Sequence, residues 1–224
     1  MAKLFVFDLD GTLADTKVDL ALAVQKTLNG LGLPEPRMEE VAKHIGHGAR
    51  HLIENCLWEA MPHRPSAQAV DEALVRFLDQ YEADPAAHTR LYPGVLPALQ
   101  KLRTETCAVL TNKPEKPALS LLLALEIDLF FKAVIGGDSG FGLKPSPQGL
   151  LELMRRFGSQ PQETILIGDG PQDLGAAKAA GISFIAYTSG FGLPLTDPFH
   201  PTMPCFQSFD DLPALLAEFP LAAE

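Results

Sequence analysis

The chain has 224 residues, of which 46% are hydrophobic and 21% charged, a composition typical of a soluble globular protein with one large or two modest domains. Its formal net charge of −10 argues against binding to nucleic acid or to an anionic membrane, because both rest on basic surfaces. The chain begins almost directly with a predicted strand, and no apolar run is long enough to cross a bilayer. We therefore expect neither a signal peptide nor a membrane segment.

The cysteines Cys56, Cys107 and Cys205 are widely spaced and lack the spacing of a metal site or a redox pair. We expect all three to be small buried residues in a reducing compartment, which makes the cytoplasm the expected location. The expected state of assembly is a monomer or a homodimer.

Two carboxylates follow the first predicted strand, which covers residues 3–7. Asp8 and Asp10 lie two residues apart, so on an extended backbone their side chains project into one place. Like charges about 4 Å apart repel by roughly 4 kcal/mol at an effective dielectric constant of about 20. A divalent cation or a shared proton is therefore expected between them.

The hydrophobic spacing is helical from Thr16 to about Tyr81. Thr16 and Asp19 are expected to form a capping box at the start of the first helix. The apolar stripes then predict helices over residues 20–31, 39–45, 52–57 and 70–81. We expect a small all-α bundle with Trp58 in its core.

From Tyr92 onward helical and strand patterns alternate, which predicts a parallel sheet with helices on both faces. The predicted strands cover 106–110, 133–135, 164–167 and 182–187, and the predicted helices cover 94–101, 117–125, 147–157, 171–180 and 212–219. Residues 188–205 are predicted to form a long loop. The predicted fold is α/β, a doubly wound parallel sheet with a Rossmann-like core formed by residues 1–16 and 91–224, and residues 17–90 form an inserted α-helical cap.

Polar residues also follow the later predicted strands. They are Thr111 and Asn112 after the second, Lys144 beyond the third, and Asp169 and Asp173 after the fourth. Each is a weak signal alone, because such residues commonly form turns or begin helices. In a parallel sheet, however, the carboxyl ends of the strands lie at one edge, so the ordered set is expected to converge with the first acidic pair.

The order of these motifs resembles that of the haloacid dehalogenase superfamily, and the resemblance covers essentially the whole chain. The motifs are Asp8-x-Asp10-Gly-Thr, Thr111, Lys144-Pro and Gly-Asp169-x-x-x-Asp173. The helical insertion resembles the small α-helical cap of that superfamily.

Within the superfamily the chain is most similar to the phosphoglycolate phosphatase branch. The similar stretches are 45–50, which opens a predicted cap helix, and 92–95, 136–138 and 176–181. The run Gly170-Pro171-Gln172 departs from the branch, which more often has a Ser or Thr run there.

The resemblance implies a Mg²⁺-dependent phosphatase that hydrolyses a small phosphate monoester, with 2-phosphoglycolate as the expected substrate, through an aspartyl-phosphate. This agrees with the residues, because phosphoryl transfer depends mostly on positioning and on charge stabilisation. Asp8 is the expected nucleophile, Asp10 the general acid and base, and Lys144 the cation that pairs with a phosphate oxygen and Asp8.

The resemblance also assigns metal and substrate ligands. The expected metal residues are Asp8, Asp10 through its backbone carbonyl, Asp169, and Asp173 as a ligand or as a partner of metal-bound water. The expected phosphate ligands are the Thr111 hydroxyl and the Asn112 backbone N–H. His47, Gly48 and Arg50 are candidates for holding the rest of the substrate; otherwise they are solvated residues at the start of a helix.

Other interpretations stay open. The substrate could instead be a nucleotide, a sugar phosphate or pyrophosphate, or the protein could be a phosphomutase of the same fold. A more remote alternative is a phosphoacceptor signalling domain with Asp138 as its acceptor. The length of the chain and the helical insertion argue against that alternative, because such domains are smaller and lack the insertion.

Overall fold

Parallel strands flanked by helices form the centre of the structure, which is a computed structural model that describes residues 4–192 and 203–218. The strands are β1 (Leu4–Phe7), β2 (Ala14–Asp15), β3 (Arg90–Leu91), β4 (Thr106–Leu110), β5 (Ala133–Ile135), β6 (Thr164–Gly168), β7 (Ser183–Tyr187) and β8 (Cys205–Phe206). The helices are α1 (Lys17–Gly30), α2 (Met38–Ala42), α3 (Ala49–Ala60), α4 (Ala67–Glu82), α5 (Val95–Lys101), α6 (Glu115–Ala124), α7 (Gln148–Phe157), α8 (Pro171–Ala180) and α9 (Leu212–Glu218).

The main sheet has the strand order β5-β4-β1-β6-β7-β8, and its strand pairs are parallel. The predicted doubly wound parallel sheet is therefore confirmed. Chain order reverses between β1 and β6, which makes the crevice beyond these two strands the place where such a sheet binds ligands. The predicted loop over 188–205 contains β8 at its end, whereas 193–202 and the last residue of the predicted helix 212–219 lie outside the described residues.

The sheet has a hydrophobic core on each face, because successive side chains of a strand point to opposite sides. Phe5 and Phe7 of β1 pack on the side covered by α5, α6 and α9, whereas Leu4 and Val6 pack on the side covered by α7 and α8. This buried sandwich holds the ends of β1 and β6 in a defined position.

Helices α1 to α4 form a bundle with a separate hydrophobic core. Its buried residues are Leu20, Ala21, Ala23, Val24, Leu28, Val41, Leu52, Ile53, Cys56, Leu57, Val70, Ala73, Phe77 and Tyr81. The apolar stripes predicted these helices because one face of each is buried against the others. None of the helices in the described ranges combines the length and the apolar character needed to span a bilayer.

The bundle joins the sheet through a two-stranded antiparallel ribbon, in which Ala14 pairs with Leu91 and Asp15 with Arg90. The chain therefore leaves the sheet layer and returns to it at neighbouring positions. The ribbon coincides with the predicted crossings, and the domain boundaries 1–16, 17–90 and 91–224 stay a prediction.

Asp19 connects the two crossings of the chain, and the expected capping box is wrong. Thr16 precedes α1 but makes no side-chain capping hydrogen bond among the described residues. Asp19 instead accepts hydrogen bonds from the backbone N–H and hydroxyl of Thr89, each at 2.7 Å, and from the backbone N–H and ring Nδ1 of His88 at 3.0 and 2.8 Å. The orientation of the Asp19 carboxylate is therefore set by hydrogen bonds to His88 and Thr89, which lie about 70 residues away along the chain.

Two further expectations differ from the structure. Trp58 is 50% exposed rather than part of the bundle core, and its ring lies 5.0 Å from the Arg64 guanidinium. Cys56 and Cys107 are buried as expected, and burial raises the pKa of each thiol to about 12, but Cys205 is exposed. The expectation that Trp58 and Cys205 are buried is therefore wrong.

Replacing Asp19 by alanine should lower the free energy of unfolding by about 2–4 kcal/mol, because the N–H and hydroxyl of buried Thr89 would lose their acceptor. Urea unfolding measures the change. The matched control is Asp71→Ala in α4, an exposed carboxylate paired with Arg50, which should cost no more than about 0.5 kcal/mol. Equal losses for the two variants would contradict the role of Asp19.

Candidate active site

The ends of β1, β4 and β6 bring the predicted polar residues together at one edge of the sheet. Asp8 directly follows β1, and its backbone N–H donates to Ile167 of the neighbouring β6 at 2.9 Å. Asp169 directly follows β6, and Asp173 lies in the first turn of α8. Parallel topology is the reason for this convergence, since β1 and β6 flank the point where chain order reverses.

Lys144 lies between two of these carboxylates. Its Nζ is 2.7 Å from Asp8 Oδ1 and 2.6 Å from Asp173 Oδ1, and all three side chains are buried. Burial alone would lower the pKa of Lys144, but the carboxylates of Asp173 and Asp8 raise it well above its ordinary value. Lys144 is therefore a permanent cation at the centre of the site.

Asp8 lies in an environment that disfavours its charge. Burial raises the pKa of Asp8 well above its ordinary value, and the carboxylates of Asp173 and Asp169 add to this rise, whereas Lys144 opposes it. One ammonium does not balance three carboxylates, so the site has room for further positive charge.

Asp169 is held in place by two donors and by a close approach of the main chain. The Thr12 hydroxyl and the Phe191 backbone N–H each donate to it at 2.7 Å. Gly11 has a φ of +92°, and a Cβ there would lie only 2.5 Å from Asp169 Oδ2, so no larger residue fits. Burial and the nearby Asp173 raise the pKa of Asp169 to about 6.

Asp8, Asp169 and Asp173 offer carboxylate oxygens that lie within 4.8 Å of one another. A cluster of buried, incompletely balanced carboxylate oxygens fits a hard divalent cation such as Mg²⁺. These are three of the four predicted metal residues. The fourth is Asp10, whose predicted ligand is its backbone carbonyl, and this assignment stays a prediction.

Asp10 pairs with Lys113, a lysine that is not among the predicted site residues. Lys113 Nζ lies 3.0 and 3.1 Å from the two Asp10 oxygens and 4.3 Å from the centre of the Tyr81 ring in α4. Burial would lower the pKa of Lys113, but Asp10 raises it well above its ordinary value. The available signal was its position directly after Thr111 and Asn112, at the end of β4.

Asn112 positions the backbone around Lys144. Its Nδ2 donates to the carbonyl of Lys144 at 3.0 Å, and its Oδ1 accepts from the Lys144 N–H at 2.7 Å. The same Nδ2 donates to the carbonyl of Gly46, in the loop before α3, at 2.9 Å. Thr111 is buried beside it, and its hydroxyl oxygen accepts from the Lys113 N–H at 3.2 Å.

Of the three predicted substrate residues in the bundle, two lie at the site. Gly48 precedes α3 and lines the cavity above Asp8, and His47 lines the cleft beside it. The Gln172 amide donates to the His47 ring at 2.7 Å, so the segment that departs from the branch contacts the bundle. Arg50 instead pairs with exposed Asp71 and lines neither space.

Two spaces border the site, and Asp8 and Asp10 line both of them. The inner cavity, of about 40 Å³, lies under the bundle, and its lining includes Gly48, Phe77 and Lys113. The outer cleft, of about 210 Å³, lies over the carboxylate cluster and is lined by Lys43, His47, Lys144, Asp169, Gln172 and Asp173. Asp138 lies apart from both and accepts a hydrogen bond from the Glu115 N–H.

This combination of fold and site defines an α/β protein with clustered carboxylates and a buried lysine at the switch point of a parallel sheet. A family model described as haloacid dehalogenase-like hydrolase matches residues 5–187, and the chain belongs to this family.

Individual relatives agree with this assignment. The chain is 39% identical over 221 residues to a phosphoglycolate phosphatase of Pseudomonas putida, covering 96% of this chain and 79% of the relative. It is 35% identical to a phosphoglycolate phosphatase of Rhodobacter capsulatus, covering 96% of this chain and 97% of the relative. A crystal structure described as a predicted phosphoglycolate phosphatase from Haemophilus somnus superposes with a TM-score of 0.89 at 30% identity, covering 96% of this chain and 98% of that chain. These relatives confirm the prediction of a phosphoric monoester hydrolase.

Replacing Asp169 by asparagine should change how the stability of the metal-free protein depends on pH. The pKa of Asp169 in the folded protein, about 6, lies above its ordinary value of 3.8, so the wild type loses stability as the pH rises through this window, whereas asparagine does not titrate. In EDTA, the variant should therefore gain up to about 3 kcal/mol relative to the wild type between pH 4 and pH 8. Urea unfolding at several pH values measures this gain.

The control for this experiment is Gln80→Asn in α4, which replaces one exposed, non-titrating amide by another and should leave the pH dependence of the wild type unchanged. Added Mg²⁺ should stabilise the wild type more than the variant at pH 8, because a ligand that binds only the folded state stabilises it and the variant lacks one proposed ligand carboxylate. A difference between Asp169→Asn and the wild type that does not vary with pH would contradict the assignment.

Proposed function

We propose that the protein is a Mg²⁺-dependent phosphatase that hydrolyses 2-phosphoglycolate through an aspartyl-phosphate. The observation that carries this proposal is the separation of the two carboxylates after β1. Asp8 lies beside Lys144 and the carboxylate cluster, whereas Asp10 faces the inner cavity with Lys113. Two carboxylates in different environments can take different roles in one reaction.

Asp8 is the proposed nucleophile. Its Oδ attacks phosphorus, and the bond from phosphorus to the ester oxygen of the substrate breaks. Lys144 supports this step because its ammonium already lies 2.7 Å from Asp8 Oδ1 and can share its protons with a phosphoryl oxygen. The Thr111 hydroxyl and the Asn112 backbone N–H are the proposed donors to the other phosphoryl oxygens.

Asp10 is the proposed general acid and base. It gives a proton to the leaving ester oxygen, and it then takes a proton from the water that attacks the phosphorus of the aspartyl-phosphate. This second step releases inorganic phosphate and restores Asp8. Asp10 lines both the outer cleft and the inner cavity. This position supports the role, since these are the spaces proposed for the phosphate and for the leaving group.

The carboxylates of Asp8 and Asp169 and the backbone carbonyl of Asp10 are the proposed ligands of Mg²⁺, with Asp173 as a further ligand or a partner of bound water. The bound ion would keep Asp8 ionised and draw negative charge from the phosphoryl oxygens. Asp173 also positions Lys144, so its role is double.

The helical bundle is the proposed cap, and the small inner cavity supports a small leaving group. A volume of about 40 Å³ is that of roughly three water positions, which suits a carboxymethyl group better than a nucleoside or a hexose. Gly48 and the first turn of α3 face this space, and the N–H groups of a first helical turn favour an anion.

His47 is proposed to lie at the rim of the outer cleft. Arg50 is not part of the proposed substrate site, because it pairs with Asp71 on the surface. The cytoplasmic location and the monomeric or dimeric state stay predictions.

Replacing Asp8 by asparagine should abolish turnover, with a loss of at least about 10⁴-fold in kcat, because no other group can form the covalent intermediate. Phosphate release from 2-phosphoglycolate in Mg²⁺ measures the loss, and circular dichroism checks the fold. Asp71→Asn, which changes an exposed carboxylate, should keep the wild-type rate. Turnover by the Asp8 variant would refute the nucleophile assignment.

A panel of phosphate monoesters tests the substrate. We expect kcat/KM for 2-phosphoglycolate to exceed that for nucleotides and hexose phosphates by at least about 100-fold, since an inner cavity of about 40 Å³ favours a small leaving group. Steady-state phosphate release over the panel is the measurement. Equal values of kcat/KM across the panel would refute the proposed substrate but not the proposed phosphatase activity.

A further inference from the structure

Lys113 places a buried positive charge in the inner cavity. It directly follows Asn112 at the end of β4 and is only 6% exposed. Among the cavity-lining residues in the described part of the chain, it is the one with a cationic side chain. Much of the remaining wall is apolar, from Leu20, Leu52 and Phe77, so a charge there acts in a medium that screens it weakly.

The other cations near the site are engaged or face elsewhere. Lys144 is shared by two carboxylates of the cluster. Lys43 and His47 border the outer cleft rather than the inner cavity, and Arg50 pairs with Asp71 on the surface. An anionic group that enters the inner cavity therefore meets Lys113.

Asp10 fixes how far this cation lies from the reacting bond. The proposed role of Asp10 is to protonate the ester oxygen, and Lys113 Nζ lies 3.0 Å from one Asp10 oxygen. In a phosphorylated 2-hydroxy carboxylate, the carboxylate is attached to the carbon that carries this same ester oxygen. An ammonium has three N–H donors, so it can keep Asp10 and also donate to a carboxylate.

We infer, resting on the proposed function, that Lys113 determines substrate specificity by binding a carboxylate of the substrate within the inner cavity. The substrate class is then a phosphate monoester whose ester carbon bears a carboxylate. Lys113 links the recognition of this carboxylate to the side chain that protonates the leaving group. When a phosphate ester lacks the carboxylate, the Lys113 ammonium keeps its ion pair with Asp10 and gains no hydrogen bond to the substrate.

The test compares two substrates that differ only at the recognised group, 2-phosphoglycolate and 2-hydroxyethyl phosphate. In Lys113→Met, the ratio of kcat/KM for these two esters should fall by about 10–100-fold, mostly through KM for 2-phosphoglycolate. Any effect of the substitution on Asp10 changes both esters alike and cancels in the ratio. Lys113→Arg, which keeps a cation, should retain most of the wild-type ratio.

The matched control is Lys101→Met, an exposed lysine in the last turn of α5, which should leave the ratio unchanged. If Lys113→Met does not fold, Lys113→Gln keeps a donor for Asp10 and should show the same fall. An unchanged ratio in a folded Met or Gln variant overturns the inference, as does an equal loss for both esters.

The wild type separates the two proposals. If it hydrolyses neither ester, the proposed function fails. If it hydrolyses both esters with no preference for 2-phosphoglycolate, the inference about Lys113 fails, whereas the proposed phosphatase activity is retained.

Discussion

One buried ammonium holds the active site together. Lys144 lies within 2.7 Å of both Asp8 and Asp173, and all three side chains are almost completely removed from water. Breaking such a pair leaves a buried charge without a partner, at a cost of about 3–5 kcal/mol. Ion pairs as well as packing therefore hold three elements together, namely the end of β1, the first turn of α8 and the loop before α7. The pairing that positions Asp8, the proposed nucleophile, also stabilises the local structure.

Asn112 extends this constraint to the helical bundle. Its side-chain amide contacts both sides of the Lys144 peptide and also the Gly46 carbonyl in the bundle. A movement of the loop before α3 must therefore strain or release a group that positions Lys144. Asp19 makes the corresponding link at the ribbon, through Thr89. Asn112 and Asp19 are therefore two of the contacts that join the bundle to the sheet, together with Lys113 over the Tyr81 ring.

The sequence predicted those residues whose position follows from strand topology. Asp8 and Asp169 end neighbouring parallel strands, so any sheet of this order brings them together. It did not predict residues whose direction depends on distant packing. Lys113 could equally have extended into solvent, and only Tyr81 and Asp10 above the end of β4 turn it inward. Asp19 matched a local capping pattern, but Thr89, about 70 residues away, supplied better donors.

The ribbon of β2 and β3 has a consequence for the order of folding. β1 is the central strand of the sheet, yet its partner Thr106 lies about 100 residues from Leu4 along the chain. Closing so long a loop costs entropy and slows folding. Helix α1, the first of the bundle, packs against α4, the last, and the ribbon brings the two ends of the insertion together at Asp15 and Arg90. Once the bundle has formed, the loop that β1 must close is effectively much shorter, so we expect the inserted helices to assist the assembly of the sheet that they interrupt.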